Sequence, residues 1–183
     1  MISALAMNEI LEALLAGNRR AIDTGKAAPQ PAERRPIAAV VACTDERVVP
    51  QAIFDQPPGK LYMVRVAGNV MTPEIAGSLE LGVDRLGCRL IVVLGHTDCT
   101  AVRMSRATGW YEGSAFDIAR RIRSSTNHLT STAPLDELVL ANVQGAIRDL
   151  RETSRILKDL ESKGELKIVG AVYDIATGRV SLS

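Results

Sequence analysis

Residues 89–100 read RLIVVLGHTDCT. The apolar part of this stretch does not alternate with polar residues, so it predicts a strand buried on both faces. It ends at Gly95, and His96 and Cys99 follow three residues apart. That pair has three readings: metal ligands, a cysteine–histidine nucleophile pair, or core residues that happen to be neighbours. Three further runs share the strand pattern: IAAVVA (37–42), LYMVRV (61–66) and LKIVGAVYDI (166–175).

Helical periodicity fills the intervals. TPEIAGSLELGVDRLG (72–87) has Thr72 as a natural N-cap, Pro73 at the first helical position, and apolar residues Ile75, Leu79, Val83 and Leu86 three or four apart. SAFDIARRIRSS (114–125) predicts another helix. Residues 135–164 predict one long helix, with Val139, Val143, Ile147, Leu150 and Leu157 on one stripe and Gly164 as its stop. Residues 5–24 predict an amphipathic N-terminal helix, followed by the Pro-rich link KAAPQPAERRP. Buried strands alternating with helices imply an α/β fold, a mainly parallel central sheet flanked by helices. No repeat or linker divides the chain, so a single domain over 1–183 is expected.

In such folds sites gather at the C-terminal ends of the strands. Three segments stand there: CTDERVVP, AGNVM and GHTDCT. Cys43 would come close to His96 and Cys99 across neighbouring parallel strands. Two thiolates and an imidazole suit Zn2+, and three protein ligands leave one open position, the pattern of catalytic zinc. Asp45 is near enough to take the fourth position or to accept a hydrogen bond from bound water, and Arg47 can pair with Asp45 and hold it off the metal. A nucleophile pair at His96 and Cys99 would leave Cys43, Asp45 and Arg47 without a role. Cys88 lacks a neighbouring ligand type and reads as structural; His128, in a polar run, reads as a surface residue.

Composition excludes several classes. The net charge is +1 and no run of basic residues offers a phosphate-tracking surface, so no nucleic acid partner is expected. No segment approaches the roughly 20 apolar residues that span a bilayer, so no membrane partner is expected. The N-terminus lacks a basic start, and Asn8, Glu9 and Glu12 interrupt its apolar part, so it does not read as a signal peptide. With three cysteines, too few and too uneven for a disulfide framework, a cytoplasmic protein is expected.

Residues 42–71, ACTDERVVPQAIFDQPPGKLYMVRVAGNVM, and 78–102, SLELGVDRLGCRLIVVLGHTDCTAV, resemble the beta-class carbonic anhydrases. LLAGNRRAIDTGK (14–26) is similar to that family's N-terminal helix and IVGAVYDIATGRV (168–180) to its last strands. The resemblance implies zinc held by Cys43, His96 and Cys99, with Asp45 as a possible fourth ligand in a closed state and Asp45 and Arg47 as the catalytic dyad. It implies reversible hydration of CO2 to bicarbonate and a proton by zinc-bound hydroxide. It implies a homodimer or dimer of dimers, the N-terminal helix packing on a partner subunit. Gly68 is expected to let backbone approach the substrate.

The chain departs from the family pattern at several positions. Thr100 stands where Gly is usual, and is expected to keep an ordinary backbone and add a methyl and a hydroxyl beside the pocket. Arg34 replaces a common Gln and Val66 a common Asn. A regulatory bicarbonate pocket of some members needs a Trp where this chain has Val40, although Arg65 and Tyr173 have matching contexts, so that pocket is not expected. These departures keep two alternatives open: hydrolysis of CS2 or COS on the same scaffold, and a catalytically silent zinc-binding relative.

Overall fold

A computed structural model describes residues 4–26, 35–106 and 113–183. The chain divides into two compact units, Met1–Glu33 and Arg34–Ser183. The first contains α1 (Ala4–Asp23), close to the expected span. Its apolar side chains Ile10, Leu11, Leu14, Leu15 and Ile22 are all exposed.

The second unit holds one five-stranded sheet. Its strands are β1 (Ala38–Ala42), β2 (Leu61–Arg65), β3 (Leu90–His96), β4 (Lys167–Tyr173) and β5 (Val180–Leu182), in the order β2-β1-β3-β4-β5. The first four are mutually parallel and β5 runs antiparallel to β4. The expected α/β class with a mainly parallel sheet is what forms. Successive residues of the apolar runs alternate between the two faces; β1 is buried throughout, whereas β2, at the edge of the sheet, is only partly buried, short of the expectation for its run. Ala39, Val41, Ile91 and Val93 enter a large core with Leu79, Val83, Val143 and Leu150. Val40, Ala42 and Leu94 enter a second core with Val48 and, at its edge, Phe54 and Met63.

The helices of this unit are α2 (Pro50–Ile53), α3 (Pro73–Leu86), α4 (Thr100–Ser105), α5 (Ala115–Thr126), α6 (Leu135–Thr153) and α7 (Arg155–Ser162). Thr72 caps α3 as expected, its side chain accepting from the Ile75 N–H, and Gly87 closes it in the left-handed conformation. The single long helix expected over 135–164 is instead two, α6 and α7, broken at Ser154. Ser154 has extended backbone, caps α7 by accepting from the Leu157 N–H, and donates its hydroxyl to Glu80 at 2.5 Å. The apolar stripe continues through the break, so periodicity alone did not register it. No helix among the described residues is long and apolar enough to cross a membrane.

α6 lies close to the sheet because two strand residues lack a Cβ. A Cβ on Gly95 would stand 2.5 Å from Val143 Cγ2, and one on Gly170 would stand 2.8 Å from Val143 Cγ1. Val143 therefore sits on backbone shared by β3 and β4, next to His96. Gly95→Ala must push α6 outward. It is expected to cost about 1–3 kcal/mol as overpacking and to lower Tm by roughly 2–4 °C per kcal/mol. Gly77→Ala, in α3 with nothing within 4 Å of the new Cβ, is expected to stabilise slightly instead. Thermal unfolding of the two variants checks the contrast, and a Gly95→Ala protein as stable as wild type would refute the close approach.

Candidate metal centre

β1 and β3 are neighbours, with Ala42 opposite Leu94. Their C-terminal ends therefore deliver Cys43, one residue past β1, and His96, the last residue of β3, to the same edge of the sheet. The chain then turns sharply. Asp98 takes a positive φ of 56°, a conformation Asp tolerates better than most residues, and Cys99 becomes the N-cap of α4. The Cys43 and Cys99 sulfurs lie 4.0 Å apart, and one ligand atom from each of Cys43, His96 and Cys99 falls within 4.8 Å of the others. A tetrahedral zinc with Zn–S of about 2.3 Å and Zn–N of about 2.0–2.1 Å needs ligand separations of roughly 3.5–3.8 Å, so little closure is required.

The chemistry of the donor set fits as well as its spacing. His96 is fully buried, and its Nδ1 lies 2.9 Å from the Thr97 carbonyl oxygen. With the proton on Nδ1 donated to that carbonyl, the Nε2 lone pair is free, and Nε2 has no hydrogen-bond partner. An orphaned buried nitrogen beside two buried thiols is costly unless something binds it. The Cys43 thiol is held well below its ordinary range, first by a hydrogen bond from Cys99 and further by the Gly68 N–H. Cys99 is pushed upward by sharing that hydrogen bond and by burial. A divalent cation would favour the thiolate form of both.

Asp45 and Arg47 form a rigid pair beside these ligands. Arg47 donates from Nε to Asp45 Oδ1 at 2.9 Å, from Nη2 to Oδ2 at 2.7 Å, and from its backbone N–H to Oδ1 at 3.1 Å. Asp45 Oδ2 stands 3.9 Å from His96 Nε2. The guanidinium is the main cause holding the Asp45 carboxyl down at about 2, so it is ionised throughout the neutral range. Arg47 is itself braced. Its Nη1 donates to Asp98 Oδ2 at 3.0 Å, and Asp98 pairs in turn with Arg103 of α4.

Two residues that the sequence reading did not place in the centre support it from behind. Arg65, at the end of β2, donates to the Cys43 carbonyl at 3.0 Å and to the Asp45 carbonyl at 2.8 Å, clamping the ligand loop. Tyr173 ends β4, with β1 and β3 between it and Arg65. Buried Asn142 of α6 donates to the Gly68 carbonyl at 2.7 Å. Gly68 has φ +63°, and its N–H points at the Cys43 sulfur at 3.3 Å. A Cβ there would also meet Ile122 Cδ1 at 2.8 Å.

The centre opens into a cavity of about 440 Å3, walled by Ala67, Thr100, Ala101, Met104, Ile118 and Ala119, with Cys43 and Asp45 at its floor. Thr100 is the first residue of α4, so its backbone is helical and it adds its side chain to the cavity wall. Gly68 contributes its N–H to a ligand sulfur, and Ala67 of the same turn faces the cavity. Val66 is half-buried against the cluster around the centre. Cys88 is buried elsewhere, its sulfur 4.0 Å from the Pro36 carbonyl, and His128 is exposed, as expected of both. Arg34 lies outside the described residues.

Known proteins share both sequence and architecture with this chain. Residues 38–180 match the sequence profile described as carbonic anhydrase. A carbonic anhydrase of Pseudomonas aeruginosa is 35% identical over 161 residues, covering 79% of this chain and 72% of that protein. One from Mycolicibacterium smegmatis is 35% identical over 156 residues, covering 81% and 75%. The solved structure of a Coccomyxa beta-carbonic anhydrase, in complex with acetazolamide, superposes with a TM-score of 0.77 at 25% identity, covering 94% of this chain and 85% of that one. By sequence and by fold alike, this chain belongs to the beta-class carbonic anhydrases, zinc lyases of the carbonate dehydratase type.

Proposed function

We propose that this chain catalyses the reversible hydration of CO2 to bicarbonate and a proton. The observation that carries the reading is the convergence of two buried thiols, Cys43 and Cys99, with the unpartnered Nε2 of His96, beside an ionised Asp45 in the lining of a largely apolar cavity. Zinc bound there would supply the Lewis acidity that makes water a competent nucleophile near neutral pH. Asp45, ionised and held by Arg47, can only accept a hydrogen bond. It accepts one from the attacking oxygen and turns that oxygen's lone pair toward the carbon. Ala67, Ala101 and Ile118 offer an apolar wall to an apolar, linear substrate. The proton released must pass to buffer, because Asp45 is far too acidic to hold it near neutrality.

Two thiolates cancel the charge of a divalent ion, so a Cys2His centre acidifies water less than three histidines would. Activity is therefore expected to rise on the alkaline side of neutral. Asp45 is ionised well below that range, so the rise does not report its titration. Stopped-flow CO2 hydration from mildly acidic to alkaline pH, on protein of verified zinc content, tests both statements. A flat profile would contradict the charge argument. Full zinc with no turnover at any pH would overturn the hydration reading and move the choice to CS2 or COS, with a silent zinc protein left if those also fail.

The assembly we propose is a homodimer or dimer of dimers. The support is α1, whose row of exposed leucines and isoleucines gains by burial against a partner subunit.

A further inference from the structure

Asn142 is out of place by composition. It stands within α6 on the buried stripe that carries Val139, Val143 and Ala146, and its side chain is buried with them. A buried amide without a partner costs about 1–3 kcal/mol, and an aliphatic residue would suit this helix face better. What the amide does is donate to the Gly68 carbonyl at 2.7 Å. The Gly68 N–H, on the preceding peptide plane, donates to the Cys43 sulfur at 3.3 Å. The two planes hinge at a residue with no Cβ and a φ of +63°, so nothing in Gly68 itself fixes the angle between them. Asn142 fixes it from outside. The helix that presents Asn142 is in turn seated by Val143 against Gly95, the neighbour of His96.

We infer that Asn142 is a positioning residue of the metal centre: through Gly68 it aims an N–H at the Cys43 sulfur and so sets the donor strength of that ligand. The inference rests on the zinc reading of Cys43, His96 and Cys99. Hydrogen bonds to a ligand sulfur withdraw electron density from it, and partners of this kind typically change metal affinity about 10–100-fold when removed.

The test uses the full-length protein loaded with Co2+, whose sulfur-to-cobalt charge-transfer band reads thiolate donor strength, together with zinc competition against a chelator. Asn142→Ala is expected to move that band to lower energy and, because the Gly68 turn beside Cys43 is then no longer held in place, to weaken zinc affinity by about tenfold or more. Amide exchange at Gly68 in the same variant is expected to speed up. Asn142→Ser, whose shorter side chain does not reach the carbonyl, should do the same and serves if the alanine variant does not fold. Leu150→Ala, a buried core residue two turns further along α6, controls for packing: it is expected to lower Tm and leave the band in place. Asn142 variants that lose stability as Leu150→Ala does, with band and zinc affinity unmoved, would overturn the inference and leave Asn142 a structural residue. A wild-type protein that binds neither ion would instead overturn the zinc reading, and the inference with it.

Discussion

Cys99→Ser is expected to leave a folded protein that no longer retains zinc through dialysis and hydrates CO2 at the background rate. The substitution changes one atom. The buried site at the N-cap of α4 is filled almost as before, so the fold should survive. The serine hydroxyl, however, does not ionise near neutrality as a metal-stabilised thiol does, and it is a harder donor than zinc prefers. Two ligands, Cys43 and His96, then remain where three converged. Cys88→Ser is the matched control. Cys88 is equally buried and its thiol is equally replaceable in size, but among the described residues its sulfur has no ligand-type neighbour and reaches the Pro36 carbonyl. That variant should bind zinc one to one and keep its turnover, with a stability loss of about 1–3 kcal/mol for a poorly bonded hydroxyl. Metal analysis and stopped-flow rates on the pair decide the matter. Zinc retained by Cys99→Ser at wild-type affinity would remove Cys99 from the ligand set.

Much of this centre is legible from residue order because its ligands sit where strands end. A both-faces-buried run must terminate at a sheet edge, and parallel neighbours terminate at the same edge, so Cys43 and His96 meet for the same reason that IAAVVA and LIVVL are strands. The local geometry was less legible. The α6–α7 break depends on a side-chain cap at Ser154 and a partner, Glu80, that is 74 residues away in the chain. Arg65 could be seen at the end of β2, but not that its guanidinium would close on the backbone of the ligand loop. Asn142 did leave a signal. It is the polar member of the set 139, 142, 143 and 146 on an otherwise apolar helix stripe, and a buried amide in that position has to bond to something. Its partner, a glycine carbonyl 74 residues earlier, follows only from the tertiary packing.

Asp45→Asn is expected to keep zinc at one per chain while lowering kcat/KM by about 10²–10³-fold, the usual loss when one preorganised hydrogen-bonding group is removed from a reacting oxygen. Asparagine keeps the shape. It replaces one acceptor by a donor and gives up the charge that Arg47 grips through two nitrogens. Retained zinc separates this loss from that of Cys99→Ser. The neighbours then predict a graded series. Arg47→Lys keeps a cation but cannot form the two-pronged contact, so Asp45 is held less firmly and the loss should be smaller. Asp98→Asn leaves the Asp45–Arg47 contact intact and removes the charge that braces Arg47 from the far side and pairs with Arg103, in a half-exposed setting where such pairs are worth little. Its loss should be the smallest of the three. That order follows from Asp45 being the member of the chain that touches the reacting atoms, with Arg47 acting through it and Asp98 through Arg47. If Arg47→Lys proved more damaging than Asp45→Asn, Arg47 would be the group in contact with substrate, and the lone-pair orientation assigned to Asp45 would have to be abandoned.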